Sequence, residues 1–319
     1  MGVASRAEEL ARKRAWMERI YTPSLDNALE LVHGSADVAR TLPSFFVIGP
    51  PRTGTTWLYR VLQGRASLPA PTKETRFFDV HFHRGLKWYR AHFATSAEDR
   101  AIGEIAPTYF VSGPARDRIA SLLPHAKVVC VFRDPVERLL SLYKLKSAYG
   151  LIRGSFEQAI ERDDEMLNSS RYATNLKFWR NALGTNQVLV MVYDDLRDRP
   201  QAFLDALMDF IGIPRFCLAE SQLEYVHAAR PMTYPRSYHR TRSASTMADW
   251  FKARRLDSLV AAVKSSPLRN LFLGGGRPFA ELPEGLTRKL YELFRPEVEE
   301  LETILNRDLS TWKGIVDRS

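Results

Sequence analysis

The chain has 319 residues, enough for one large domain or two small ones, with the 45% hydrophobic and 26% charged content of an ordinary soluble globular protein. Two cysteines, Cys130 and Cys217, are too few for a disulfide framework and lack metal-ligand spacing. The net charge of +9 admits a nucleotide, a sulfated or acidic acceptor, or a nucleic acid, and no nucleic-acid-binding motif is present; a solvated basic surface is the alternative.

Residues 1–21 are rich in Arg, Lys and Glu and contain no signal-peptide apolar core. No stretch approaches the roughly 20 apolar residues that span a bilayer, so the expectation is a cytoplasmic protein. Residues 5–20 and 24–40 read as two amphipathic helices, the second capped by Ser24. They form a helical extension over 1–40 that packs on the flank of a domain running from 41 to 319.

The domain begins with Phe45 to Trp57, FFVIGPPRTGTTW. Phe45 to Ile48 suit a buried parallel strand, and Gly49-Pro50-Pro51 ends it. From Gly54 onward, Trp57, Leu58, Val61 and Leu62 recur at helical spacing. A strand, a tight loop and a helix N-terminus make an anion site, because first-turn amides are unpaired and the helix dipole favours negative charge. Gly49-x4-Gly54 copies the start of a P-loop, but Thr55-Thr56 stand where Lys-Ser or Lys-Thr would be, and the cation is Arg52, inside the loop. A strand-to-helix turn without a ligand is the plainer alternative.

Next, Pro69 to Asp79 form a constrained segment that presents Lys73 and Glu74 beside Phe77 and Phe78. Glu74 falls where a parallel neighbour strand would return to the same sheet edge; the alternative is a surface carboxylate paired with Lys73 or Arg76. A short helix follows within 84–93, then a strand over 101–106 and a helix over 114–123. Lys127 to Phe132 is a second buried strand, with a helix beginning at Pro135. Arg133 at the strand's carboxyl end and Ser141 two turns into the helix can meet one anion there. The alternative is a capping Asp134 with a surface Arg133.

Helices are expected over 155–165 and 169–183, a third strand over 187–193 and a helix over 200–211. Alternating strands and helices predict an α/β fold, a P-loop-like three-layer sandwich with a central parallel sheet. Over 218–270 periodicity weakens and basic residues gather, which predicts a variable basic cover for an anionic ligand and its acceptor, or a solvated surface. Gly274-Gly275-Gly276-Arg277 reads as a turn whose amides can approach an anion, and a helix over 284–305 closes the chain.

Four blocks in this order resemble the sulfotransferases that use 3′-phosphoadenosine 5′-phosphosulfate (PAPS), in the heparan-sulfate-type branch and its bacterial relatives. They are PPRTGTTW, KETRFFD, VFRDPVERLLSLY and the tail from GGGRPF to STW, covering residues 43–313. The resemblance implies that Arg52, Thr53, Gly54, Thr55 and Thr56 hold the 5′-phosphosulfate. Arg133, Ser141 and the loop Gly275-Gly276-Arg277 take the 3′-phosphate. Trp57 matches an adenine-stacking residue or is simply core. Glu74 is the implied base, with Arg52 at the 5′-phosphosulfate; Lys73 is not carried over by the resemblance, but beside Glu74 it can contact the transferring group. PAPS would be the co-substrate, released as adenosine 3′,5′-bisphosphate (PAP), with no metal called for. The acceptor is a small-molecule, carbohydrate or carrier-bound hydroxyl, with an amine also open.

Two departures stand out. The late loop lacks the lysine of the common Lys-Gly-Arg, and Arg76 replaces a histidine found in some heparan-type enzymes. A catalytically inactive nucleotide-binding protein and a kinase-like NTPase are the other readings; the missing P-loop lysine argues against the second.

Overall fold

The computed structural model describes residues 25–30, 32, 40–93, 100–227, 232–253 and 275–314. Three apolar runs and one short segment with a central glutamate form one parallel sheet: β1 Phe45–Gly49, β3 Lys127–Phe132 and β4 Val188–Val192, with β2 Gly103–Ile105 at the edge, in spatial order β2-β1-β3-β4. Successive side chains of a strand face opposite sides, so a run with no polar alternation must be covered twice. Phe46, Ile48, Val128, Cys130 and Phe132 pack on one face, and Phe45, Val47, Val129 and Val131 on the other. The result is the three-layer α/β sandwich that the sequence predicts.

Helices α1 Thr55–Leu62, α2 Gly85–Arg90, α3 Gly113–Leu122 and α4 Pro135–Ala148 occupy the first half of the chain. Ser112 caps α3 through the Ala115 amide at 3.2 Å, and Asp134 caps α4 through those of Val136 and Glu137 at 2.9 and 2.8 Å. The helix expected over 155–165 is two, α5 Phe156–Arg162 and α6 Asp164–Asn168. The break falls at Asp163, whose carboxylate caps α6 and accepts from Lys146 Nζ at 2.6 Å. Then come α7 Tyr172–Leu183, a short α8 Tyr193–Asp198 that the sequence reading lacked, and α9 Pro200–Ile211. Leu176 and Trp179 of α7 cover one sheet face; Leu58 and Val61 of α1 with Leu204 and Leu207 of α9 cover the other.

The basic stretch after residue 218 is more regular than expected. It contains α10 Glu220–His227, β5 Thr233–Pro235 and α11 Tyr238–Ala253, while 254–274 lie outside the described residues. Gly275–Pro278 is not a turn but a strand, β6, antiparallel to β5. Its pairing comes from across the chain, with Arg236 Nε donating to the Gly275 carbonyl at 2.9 Å. The closing helix, α12 Glu284–Leu305, has the predicted bounds and ends at Asn306 in the left-handed region.

Of the N-terminal extension, 25–30 is helical, and Ala28 and Val32 are buried in the core beside Leu42. The helix expected over 5–20 lies outside the described residues. No strand lies between α1 and Glu74: the neighbour of β1 on that side is β2, about 30 residues after Glu74 in the chain. The backbone after Glu74 makes a single turn over Phe77–His81 instead.

Candidate active site

Parallel strands share one carboxyl edge, and the loops that leave it are where ligands of α/β sheets bind. From β1, Gly49 turns the chain at φ 97°, and Gly54 stands at φ 86° before α1. Thr53 is fully buried, and its hydroxyl closes the loop by donating to the Pro50 carbonyl at 2.7 Å. No side chain caps α1 and no acidic residue lies in its first turn. The amides of Thr55 and Thr56 therefore belong to a helix start with no acid of its own, as an anion site requires.

Arg52 and Arg133 leave the same edge, since β1 and β3 are adjacent and parallel. Arg52 Nε donates to Ser141 Oγ at 2.9 Å, joining the loop after β1 to the helix after β3. Three residues that the sequence reading assigned to opposite ends of one ligand are thereby brought to one edge. Arg133 forms a 2.7 Å ion pair with Glu137, and its guanidinium lies 5.0 Å from the centre of the Tyr193 ring. The capping role of Asp134 also holds; burial raises its carboxyl to about 6, and Tyr291 donates to its second oxygen.

Two residues of this region were not among the expected site residues. Tyr193 stands at the carboxyl end of β4, between Arg133 and Gly54, whose added Cβ would sit 3.4 Å from its ring. Arg138 is fully buried on α4, and its partners among the described residues include Ser170 Oγ at 2.6 Å, the Met166 carbonyl at 3.0 Å, the Pro51 carbonyl at 3.4 Å and the Tyr172 hydroxyl. Burial lowers its pKa, and it braces the phosphate-type loop from behind. A position three residues before Ser141 on the same helix was the available clue.

On the β2 side, Lys73 Nζ bonds Glu74 Oε1 at 2.9 Å, with both side chains about a quarter exposed. Arg76 pairs with Asp79 instead, so Glu74 has the first of its two expected partners. Behind Glu74 lies a residue the sequence reading passed over. Glu104, in the centre of β2 and fully buried, accepts from the Thr75 amide at 2.9 Å and from the Thr75 hydroxyl at 2.6 Å. The Tyr89 and Tyr109 hydroxyls donate to it at 2.7 and 3.2 Å. Burial raises its carboxyl to about 7 against the opposing pull of these donors.

Arg277 lies on β6 with its guanidinium 5.2 Å from the Tyr234 ring, and the Tyr234 hydroxyl meets that of Tyr143 on α4 at 2.9 Å. The β5–β6 pair is thus seated on the helix that carries Ser141. The Gly275 amide already donates to Thr233 Oγ1 at 2.8 Å, so it is not offered to an anion as the turn reading supposed; Gly276 is a strand residue too. Trp57 is only 3% exposed, packs with Leu58 and Val61, and donates Nε1 to the Gln222 carbonyl at 2.8 Å. This is the core placement that the sequence left open. Among the described residues no group of three or more His, Cys, Asp or Glu is placed to hold a metal, and no helix is long and apolar enough to cross a membrane.

A phosphate-type loop on a parallel sheet, with a second cationic site one strand away, defines a P-loop-like α/β protein. The family model described as the sulfotransferase domain matches residues 42–250, and the chain belongs to the sulfotransferase family of enzymes. It is similar to the bifunctional heparan sulfate N-deacetylase/N-sulfotransferase 1 of Caenorhabditis elegans, at 24% identity over 86% of this chain and 31% of that protein. The human bifunctional heparan sulfate N-deacetylase/N-sulfotransferase 2 is 30% identical over 55% of this chain and 22% of its own length. The chain thus spans less than a third of these curated relatives. A sulfotransferase from Alicyclobacillus acidocaldarius has the same fold, with a TM-score of 0.61, 19% identity, and coverage of 85% of this chain and 99% of that one.

Proposed function

We propose that the chain moves the sulfuryl group of PAPS to an acceptor hydroxyl by in-line displacement, with Glu74 as the base. The observation that supports this reading is the Arg52–Ser141 bond, which joins the loop after β1 to the helix after β3 at one sheet edge. In the reading, the loop 50–56 and Arg52 hold the 5′-phosphosulfate, and Arg133, Ser141 and Arg277 hold the 3′-phosphate.

The acceptor oxygen bonds to sulfur as the bridging sulfur–oxygen bond breaks, and the electron pair leaves with the 5′-phosphate, giving PAP. Charge grows on that bridging oxygen, where Arg52 and the loop amides meet it. Glu74, bonded to Lys73 through Oε1, has Oε2 for the acceptor's proton. Lys73 lies beside the base and exchanges its partner for the transferring group.

An amine acceptor on a carbohydrate is the second reading, favoured by the N-sulfotransferase names of the curated relatives. Labelled PAPS offered with glucosamine oligosaccharides, phenols and alkyl alcohols separates the two. Glu74→Gln should lower turnover about 100-fold or more, the usual worth of a general base, while calorimetric affinity for PAP holds. Near-normal turnover would remove Glu74 from the mechanism. Tight PAP binding without transfer to any acceptor class would favour a nucleotide-binding protein without catalysis.

A further inference from the structure

The proposed base sits on an irregular segment, and no strand ladder fixes its backbone. Three amides of that segment are nevertheless gathered on one carboxylate. The Thr75 amide donates to Glu104 directly at 2.9 Å. The Phe77 amide donates to Thr75 Oγ1 at 3.1 Å, and that hydroxyl donates to Glu104 at 2.6 Å. The Phe78 amide donates to the Tyr109 hydroxyl at 3.2 Å, which in turn donates to Glu104 at 3.2 Å. Tyr89 of α2 supplies the fourth donor. Each carboxylate oxygen accepts twice, so all four donors are satisfied by the one side chain.

The other end of this network is the sheet. Glu104 is paired in register with Phe46, the Ala106 amide donates to the Val47 carbonyl at 2.9 Å, and Pro107 packs against Gly49 where the phosphate-type loop begins. The geometry points to Glu104 as a positioning residue that fixes Lys73 and Glu74 relative to the loop after β1, an inference that rests on Glu74 being the base. Paired buried hydrogen bonds of this kind restrain a segment more sharply than its apolar contacts do. Phe77 and Phe78 alone would hold the segment down without setting the height of Glu74 above the sheet edge.

A glutamine at 104 can still accept from Thr75, but its amide nitrogen cannot accept from Tyr89 and Tyr109. Glu104→Gln should therefore lower kcat about 10- to 100-fold, the effect of a displacement near one ångström, while PAP affinity stays within about twofold. Hydrogen exchange should accelerate at the Thr75, Phe77 and Phe78 amides and not along β3. Leu204→Ala, a cavity on the opposite sheet face, serves as the control for lost stability alone and should keep kcat. Where Glu104→Gln fails to fold, Tyr109→Phe and Thr75→Val carry the test, with the same split in smaller measure.

Unchanged kcat in the folded variants, or equal losses of kcat and PAP affinity in Glu104→Gln and Leu204→Ala, would overturn the inference. Absence of sulfuryl transfer by the unmodified chain would instead strike the proposed function. The exchange measurement with PAP would then still decide whether Glu104 holds the segment.

Discussion

Replacing each of the two loop glycines by alanine probes the loop geometry without touching a charged group. Gly49 and Gly54 have φ of 97° and 86°, where an alanine costs about 1–2 kcal/mol. Their surroundings differ. A Cβ at Gly49 would lie 2.7 Å from Pro107 Cβ, in a rigid ring, and 2.8 Å from Pro107 Cα, a backbone atom next to the Ala106–Val47 bond. A Cβ at Gly54 would meet Leu196 Cδ2 at 2.7 Å, the end of a side chain that can turn aside. Overpacking against fixed atoms adds about 1–3 kcal/mol. Gly49→Ala should therefore lose about 2–5 kcal/mol, and Gly54→Ala about 1–2 kcal/mol, out of the typical 5–15 for a domain. Urea unfolding followed by circular dichroism, with equal slopes for the two variants, gives the comparison. A Gly49→Ala protein as stable as Gly54→Ala would refute the reasoning that Pro107, and not only a ligand, demands glycine at the loop's start.

Stability should fall as pH rises from about 4.5 to 7, because folded Glu104 keeps a proton that the unfolded chain has released; the slope is about 1 kcal/mol per pH unit. Asp134, raised from 3.8 to about 6, adds to it at the lower end, and urea midpoints for Glu104→Gln should show the flatter profile. Trp57→Phe leaves the Gln222 carbonyl without its indole donor and should cost about 1–2 kcal/mol in unfolding, while calorimetric PAP affinity stays within about twofold if the ring is core; a large affinity loss would make it part of the nucleotide site. Asp134→Ala removes the two-amide cap of α4 and should cost about 1–2 kcal/mol by the same unfolding assay.

What could be read from the sequence follows the range of the forces involved. β1, β3 and β4 are continuous apolar runs, and the Pro-rich break, Gly54 and the helical spacing after it mark the loop without any partner being known. That Arg133 and Ser141 follow the same strand could be read because both come just after the end of β3, one before α4 and the other two turns into it. β2 was legible as a strand, but the importance of its central glutamate was not: Glu104 is bonded to Thr75, 29 residues earlier, and to Tyr89, 15 residues earlier. Nothing near Glu104 in the chain announces those donors. β6 failed for a similar reason, since GGRP has no strand propensity and is held by pairing to β5. α11 is mostly polar in sequence, YHRTRSASTMADWFKA, and gives periodicity little apolar pattern to detect. The bond from Arg52 to Ser141 spans 89 residues; only the parallel order of β1 and β3 brings its ends together.

Titrating PAP and adenosine 5′-monophosphate separately into the unmodified chain and into Arg133→Ala tests most directly whether a single nucleotide spans both anion sites. PAP should bind the unmodified chain more tightly than the monophosphate. Arg133→Ala should remove about 1.5–3 kcal/mol from PAP binding, the worth of a charge-assisted contact, and leave the monophosphate unaffected. An equal loss for both nucleotides, or none for either, would mean that Arg133 does not meet a 3′-phosphate, and the two-site account would be wrong.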